Sequence, residues 1–375
     1  MKVEFFCHNI EDSDIENASR VLRSVFLTTG PVTGEFEEKF SLYTGLKHTV
    51  GVNSCTAALH LSLLALGIGP GDEVITTPMT FIATATSILH SGAKPVFVDV
   101  EENTGLLDIS KAQKAITPRT KAIMPVHLYG SMVDMRGLRK IADANGLKIV
   151  EDCAHCIEGE RDGIRPGQLG DVACYSFYAT KNLTCGEGGA VATNDSKLGK
   201  KLKILRLHGM SKDAATRYSE RYKHWDMISL GWKYNMDDIH AALLVGQIEL
   251  LDKYWQRRND IWQLYDEAFG AIPEIKIPDT QGKSARHLYT IWVNPGDRDE
   301  FLHKIQDKEI GVAVNYRAIH TLTYFSQVLG LNPEDYPAAN HIGESTISLP
   351  LYPKLDDPEV DYVIDSISRI VTDRS

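Results

Sequence analysis

The chain has 375 residues, 43% hydrophobic and 24% charged, with a formal net charge of -10. That length buries a large core and exceeds one ordinary compact domain. The negative balance excludes a chain-wide nucleic-acid role, which needs clustered positive charge, but leaves room for an anionic small molecule held by a few local donors. No apolar run approaches the roughly 18 residues of a membrane span, and neither an apolar stretch nor a small-residue cleavage site follows Met1–His8. The expected location is the cytoplasm.

The elements follow in chain order. A first helix carries Ile15, Ala18, Leu22 and Val25 on one face and is expected to pack near a domain junction. Short apolar runs then alternate with segments of helical spacing. The runs are Glu73–Thr77, Pro95–Val100, Ala122–Val126, Lys148–Asp152, Ala173–Phe177 and Ala190–Thr193, with Ala57–Leu66 and Met135–Asn145 among the helical segments. This alternation predicts an α/β fold with a mostly parallel sheet covered on both faces, whose ligands bind beyond the carboxyl ends of the strands. From about Met236, apolar positions at Ile239, Leu243, Leu250, Leu251 and Tyr254 predict one long helix through Phe269. After a connection at Ile272–Gly282, the segments His287–Val293, Val312–Tyr316 and Thr346–Leu349 read as strands of a smaller α+β domain. The expected division is a large cofactor-binding domain at 1–250, including the first helix, and a small domain at 251–375.

The six cysteines hold one C-x-x-C pair, Cys153 and Cys156. No second pair completes a zinc site, so no metal is expected, and buried reduced thiols are favoured over a redox pair.

Chemistry concentrates at two neighbouring strand ends. Lys148–Asp152 places a carboxylate at a carboxyl end, and Tyr175–Phe177 leads through Thr180 to Lys181 and the glycine-rich Cys185–Gly189. Alone, Asp152 reads as a helix cap and Lys181 as a solvated lysine. In this order on adjacent strand ends they match the needs of pyridoxal phosphate, which takes a lysine amine and an acid that keeps its pyridine nitrogen protonated. Asn53–Ala58 opens a helix whose N–H groups, with the hydroxyl of Ser54 or Thr56, form an anion site or simply a cap. Ser176 is a further candidate for the phosphate, and Phe81, beyond the run Glu73–Thr77, is a candidate to stack on the ring or to join the core.

Taken together, Thr29–Pro31, Asn53–Leu59, Gly67–Val74, Pro95–Asp99, Glu151–His155, Ser176–Gly189, Tyr234–Met236 and Leu349–Pro353 resemble the DegT/DnrJ/StrS family of nucleotide-sugar aminotransferases almost end to end. The resemblance implies the PLP-dependent transferase fold type I, like aspartate aminotransferase. It also implies Lys181 as Schiff-base lysine and proton shuttle, Asp152 at the pyridine nitrogen, Phe81 and Ala154 on the two ring faces, and Thr56, Ala57 and Ser176 at the phosphate. Asn235 is implied to reach the phosphate of a neighbouring subunit, making a homodimer with shared sites. His155 stands where the family commonly has Gln, near the cofactor's phenolic oxygen, and the subset making 4-amino sugars often has His there. The family departs from this chain at Cys55, usually Gly, and at Asn315-Tyr316-Arg317, often His-Tyr-Pro. Arg317 reads equally as a contact for a pyrophosphate or a donor carboxylate and as an exposed arginine. The expected partners are a nucleotide-linked keto sugar and an amino-acid donor, glutamate foremost. Amination at the sugar's fourth carbon is favoured by His155, the insert Met210–Leu230 and the turn Lys233–Met236. A sugar dehydratase on the same fold and a non-catalytic sensor dimer are the rival readings; Lys181 counts against the first and the intact Lys181–Asp152 pair against the second.

Overall fold

The computed structural model describes residues 1–211 and 224–372. A seven-stranded sheet carries the first half of the chain: β1 (His48–Val52), β2 (Glu73–Thr76), β3 (Lys94–Phe97), β4 (Thr120–Ile123), β5 (Lys148–Asp152), β6 (Val172–Ser176) and β7 (Gly189–Thr193). Its order is β1-β7-β6-β5-β4-β2-β3. All pairings are parallel except those of β7, which runs against both of its neighbours. Every residue of β2, β6 and β7 is buried. Such strands read as continuous apolar runs rather than alternating ones because helices cover both faces of the sheet. All six predicted runs are strands, and β1 is one that the apolar pattern did not resolve. This is fold type I, the α/β class expected.

Four helices matter for the site: α1 (Asp12–Leu22), α2 (Pro31–Thr44), α3 (Cys55–Ala65) and α4 (Ile82–His90). α3 starts where β1 ends, and Ser54 caps it by accepting the Ala57 N–H at 3.1 Å. Eight of its nine buried residues lie between Ala57 and Ala65, so α3 is buried almost all round rather than amphipathic. A second, two-stranded sheet pairs β8 (Tyr289–Trp292) antiparallel with β9 (Thr346–Leu349). Its core gathers Ile261, Tyr265, Phe269 and Ile367, and also Val3, brought there by the pairing of Val3 with Ile310.

Three expectations are corrected. The long helix is two, Asp238–Val245 and Leu251–Phe269, joined by a 3-10 turn at Gln247–Leu250. At the break the buried Gln247 side chain donates to Leu243 O and, at 2.8 Å, to Thr184 O, trading helical continuity for a brace on the turn after Lys181. Gly246 lies so close to Asp14 of α1 that a Cβ there would stand 2.7 Å from its Oδ1. Val312–Tyr316 is not a strand: only Ala313 bridges to β9, at Ser348, and the chain then turns away. The predicted apolar face of α1 is not its packing face. Ile15, Leu22 and Val25 are exposed, Val25 lies beyond the helix, and Asp14 and Val21 are the buried positions. Of the insert Met210–Leu230, residues 212–223 lie outside the described residues. Among the described residues no helix is long and apolar enough to cross a membrane.

Candidate active site

A cavity of about 520 Å³ opens beyond the carboxyl ends of β5 and β6. Thr56, Phe81, Asp152, Ala154, His155, Ser176 and Lys181 all line it, so seven of the nine residues expected from the sequence meet in one place. Ala57 and Asn235 do not line it. The N–H of Ala57 is already held by Ser54 Oγ, and the Asn235 amide donates to Thr29 Oγ1 at 2.7 Å.

Asp152 ends β5, where its backbone is bonded to Pro125 and His127, which fixes the side chain's exit. Its Oδ1 accepts the Ala154 N–H at 3.1 Å and its Oδ2 accepts the Thr84 hydroxyl at 2.8 Å. Thr84 donates there, so its oxygen is left to accept from Thr80, 2.7 Å away. Burial raises the Asp152 carboxyl above the usual carboxylate range, opposed by these two hydrogen bonds and then by Lys181. Lys181 is pushed down to about 8 by burial, with Cys55 and Asp152 opposing. An amine so placed accepts and returns protons near neutral pH, as nucleophilic and acid-base work requires.

His155 is held neutral, well below the usual imidazole range, first by burial and then by Lys181. Its Nδ1 accepts the Tyr129 N–H at 3.3 Å, so the proton sits on Nε2, which faces the Tyr316 hydroxyl at 2.9 Å. The His287 ring lies 4.4 Å from it, centroid to centroid. His287 donates through Nδ1 to Asn182 Oδ1 at 3.0 Å, and the Asn182 amide is in turn committed to Glu158. Sequence reasoning missed Thr84, Tyr316 and His287 as site residues. Thr84 lies in the first turn of α4, just after Phe81, the extended residue that precedes the helix; the others are brought in by distant chain.

The residues fit pyridoxal phosphate. The N-terminus of α3 with the hydroxyls of Thr56 and Ser176 gives one end of the cavity an anion-binding character. Gly189 lets β7 approach that end: a Cβ there would meet the Ser54 and Cys55 backbone at 2.5 and 2.6 Å. Phe81, half exposed, offers an open ring face, and Asp152 offers the buried acid. The pair Cys153 and Cys156 is buried, with both thiols free and pushed up by burial, the opposite of a reactive redox pair.

The comparisons with known proteins agree. Residues 8–368 match the DegT/DnrJ/EryC1/StrS aminotransferase family. The chain is 42% identical to the spore coat polysaccharide biosynthesis protein SpsC of Bacillus subtilis, over 96% of this chain and 95% of that one. It is 36% identical to the UDP-4-amino-4-deoxy-L-arabinose–oxoglutarate aminotransferase of Shewanella sediminis, over 96% of each. Spr1654 of Streptococcus pneumoniae, solved in its PMP form, superposes with a TM-score of 0.93 at 34% identity, over 99% of this chain and 100% of that one. A PLP form of the same protein superposes at 0.92. The fold, the Lys181–Asp152 cavity and these likenesses converge: the chain belongs to the DegT/DnrJ/EryC1/StrS family and is a pyridoxal-phosphate-dependent sugar aminotransferase.

Proposed function

We propose that the enzyme moves an amino group from L-glutamate to the fourth carbon of a nucleotide-linked keto sugar, in the cytoplasm, for a cell-surface polysaccharide or lipid. The carrying observation is one cavity that brings a lysine poised near neutral pH together with a buried acid and an anion-binding helix start. The names of two relatives, one acting with oxoglutarate on a UDP-linked 4-amino sugar and one of polysaccharide biosynthesis, support the donor and the product class. Bound pyridoxal phosphate supplies an electron sink for the carbon that loses or gains the amine. Asp152 would hold the proton on its pyridine nitrogen, and Phe81 and Ala154 would flank its ring. Thr56 and Ser176 would bind its phosphate. Lys181 would hold the cofactor through its amine and would move protons at that amine during turnover.

The site is read as shared within a homodimer, with Asn235 serving the neighbour's phosphate. Support comes from its position outside its own chain's cavity and from exposed Ile15, Leu22, Val25 and Leu27 in the segment that leads to Thr29, its partner. Mixing inactive Asn235→Ala and Lys181→Ala variants should regenerate activity if each dimer then holds one intact site.

The deciding test is a panel of nucleotide 4-keto sugars. Glutamate should bleach the cofactor's absorbance band, the right sugar should restore it, and mass and NMR should show a 4-amino product. A cycle that stalls after glutamate with every sugar excludes this reading.

A further inference from the structure

Tyr129 stands in a strained backbone position beside His155. It lies in a 3-10 turn, Leu128–Gly130, with φ 59° and ψ 3°, the left-handed region that a bulky side chain rarely occupies. Such a conformation persists where contacts on several sides impose it. Ser131 N–H donates to Leu128 O at 2.9 Å and closes the turn, and Ala285 N–H donates to Gly130 O at 2.9 Å and ties it to distant chain. The Tyr129 side chain is buried, and its hydroxyl faces Thr346 of β9 and Trp292 of β8, the two groups that oppose the rise in its pKa that burial causes. Trp292 Nε1 can only donate, while the phenol and the Thr346 hydroxyl both donate and accept, so the three can satisfy one another. These side-chain atoms are sealed from solvent, and among the described residues none of them has a hydrogen-bond partner outside the group. The other end of Tyr129 is its N–H, which donates to His155 Nδ1 at 3.3 Å. A backbone N–H cannot accept, so this contact allows a ring proton on Nε2 and disfavours one on Nδ1. One residue thus joins the second sheet, at its hydroxyl, to His155, at its backbone.

We propose that Tyr129 is a positioning residue for His155: its left-handed turn, held by the grip of β8 and β9 on the hydroxyl, aims the N–H that fixes which ring nitrogen of His155 carries the proton. The ring is set in this way before cofactor or sugar enters, so the inference stands apart from the donor and the sugar proposed above.

Nitrogen NMR of labelled histidine rings reads the tautomer directly in the full-length enzyme free of cofactor, with His155→Gln assigning the signals. The wild type should show His155 with its proton on Nε2 alone. Tyr129→Phe removes only the hydroxyl. Both tautomers should then appear, their ratio moved by about tenfold or more, as the loss of one buried hydrogen bond allows. Bleaching of the pyridoxal-phosphate-loaded enzyme by L-glutamate should slow in the same variant. Thr346→Val leaves Tyr129 untouched and should move both readings the same way, whereas Thr346→Ser, which keeps a hydroxyl, should leave them as in the wild type. Thr346→Val also decides the matter if phenylalanine impairs folding. A proton that stays on Nε2 alone in Tyr129→Phe and Thr346→Val overturns the proposal, even with a lowered Tm, because Tyr129 then only supports the fold. Mixed tautomers with an unchanged bleaching rate overturn it as well. If L-glutamate does not bleach the wild type, the proposed donor fails by itself, and the ring signals alone decide this inference.

Discussion

Asp152 and Lys181 lie in one cavity, each pushed toward its neutral form by burial. Glu158 and Arg258 are sealed in the interior close by, yet they meet at 2.6 Å with side chains at most 2% exposed. The first pair has room between its members for a cofactor; the second has none. Removing charges from water is expensive in both places, and the chain meets that cost differently. At the site the cost appears as perturbed protonation, which is what acid-base chemistry uses. In the interior direct contact offsets part of it, with both Glu158 oxygens also accepting from Asn182, the residue after Lys181, while burial still lowers the Arg258 guanidinium. The sealed pair thus anchors the chain next to Lys181 and, through Asn182 and His287, the ring beside His155.

The comparison predicts losses of different kinds. Lys181→Ala should abolish turnover and the lysine-bound absorbance band while leaving the far-UV circular dichroism intact, and borohydride reduction of the wild type should fix the cofactor to the peptide holding Lys181. Asp152→Asn should retain cofactor but slow transamination by orders of magnitude, because an amide cannot hold the pyridinium proton; near-normal stopped-flow rates would assign that role elsewhere. Glu158→Gln should act on stability instead. It leaves Arg258 buried without its countercharge and should cost about 3–5 kcal/mol in urea unfolding, with much of the loss recovered by adding Arg258→Met.

Titration sharpens the same contrast. In cofactor-free enzyme the folded state holds Lys181 at about 8 against an ordinary 10.5, so between those values the unfolded chain binds more protons. Stability from this group should therefore rise with pH through that window. Asp152 is shifted the other way from carboxylates such as Glu37 and Asp237: its raised value means that its contribution falls as pH climbs past the ordinary carboxylate range. The buried cysteines, raised by burial, pull the other way toward pH 10, so the test is the difference in unfolding midpoint between wild type and Lys181→Met, which should grow in favour of wild type from pH 7 to 10.

What the sequence disclosed follows from the range of each interaction. The central strands were legible because a covered parallel strand is a short apolar run between turns, and Asp152 and Lys181 because each closes or follows such a run. The break at Gly246 was not, since Ile239, Leu243, Leu250 and Tyr254 keep helical spacing across it and its cause, the reach of Gln247 to Thr184, is tertiary. Val312–Tyr316 is a short apolar run such as a strand carries, but the second sheet pairs it only at Ala313. The bond from His155 to Tyr316 spans 161 residues and that from Glu158 to Arg258 spans 100, and no local pattern announces either.

The smallest expected effect lies at the surface. Lys39 and Glu249 meet at 2.9 Å, a distance close to that of the sealed pair, with side chains 33% and 69% exposed. Water screens both charges before and after the contact forms, and two long side chains lose freedom to hold it, so the geometry overstates the energy. Glu249→Gln should barely move the urea midpoint, and 1 M salt should erase the difference, because the Debye length then falls to about 3 Å. The loss in Glu158→Gln should persist at the same salt, since ions do not reach a sealed pair. A salt-insensitive loss at Glu249 as large as that at Glu158 would show that separation, rather than burial, sets the strength of these pairs, and the contrast between the site and the interior would have to be redrawn.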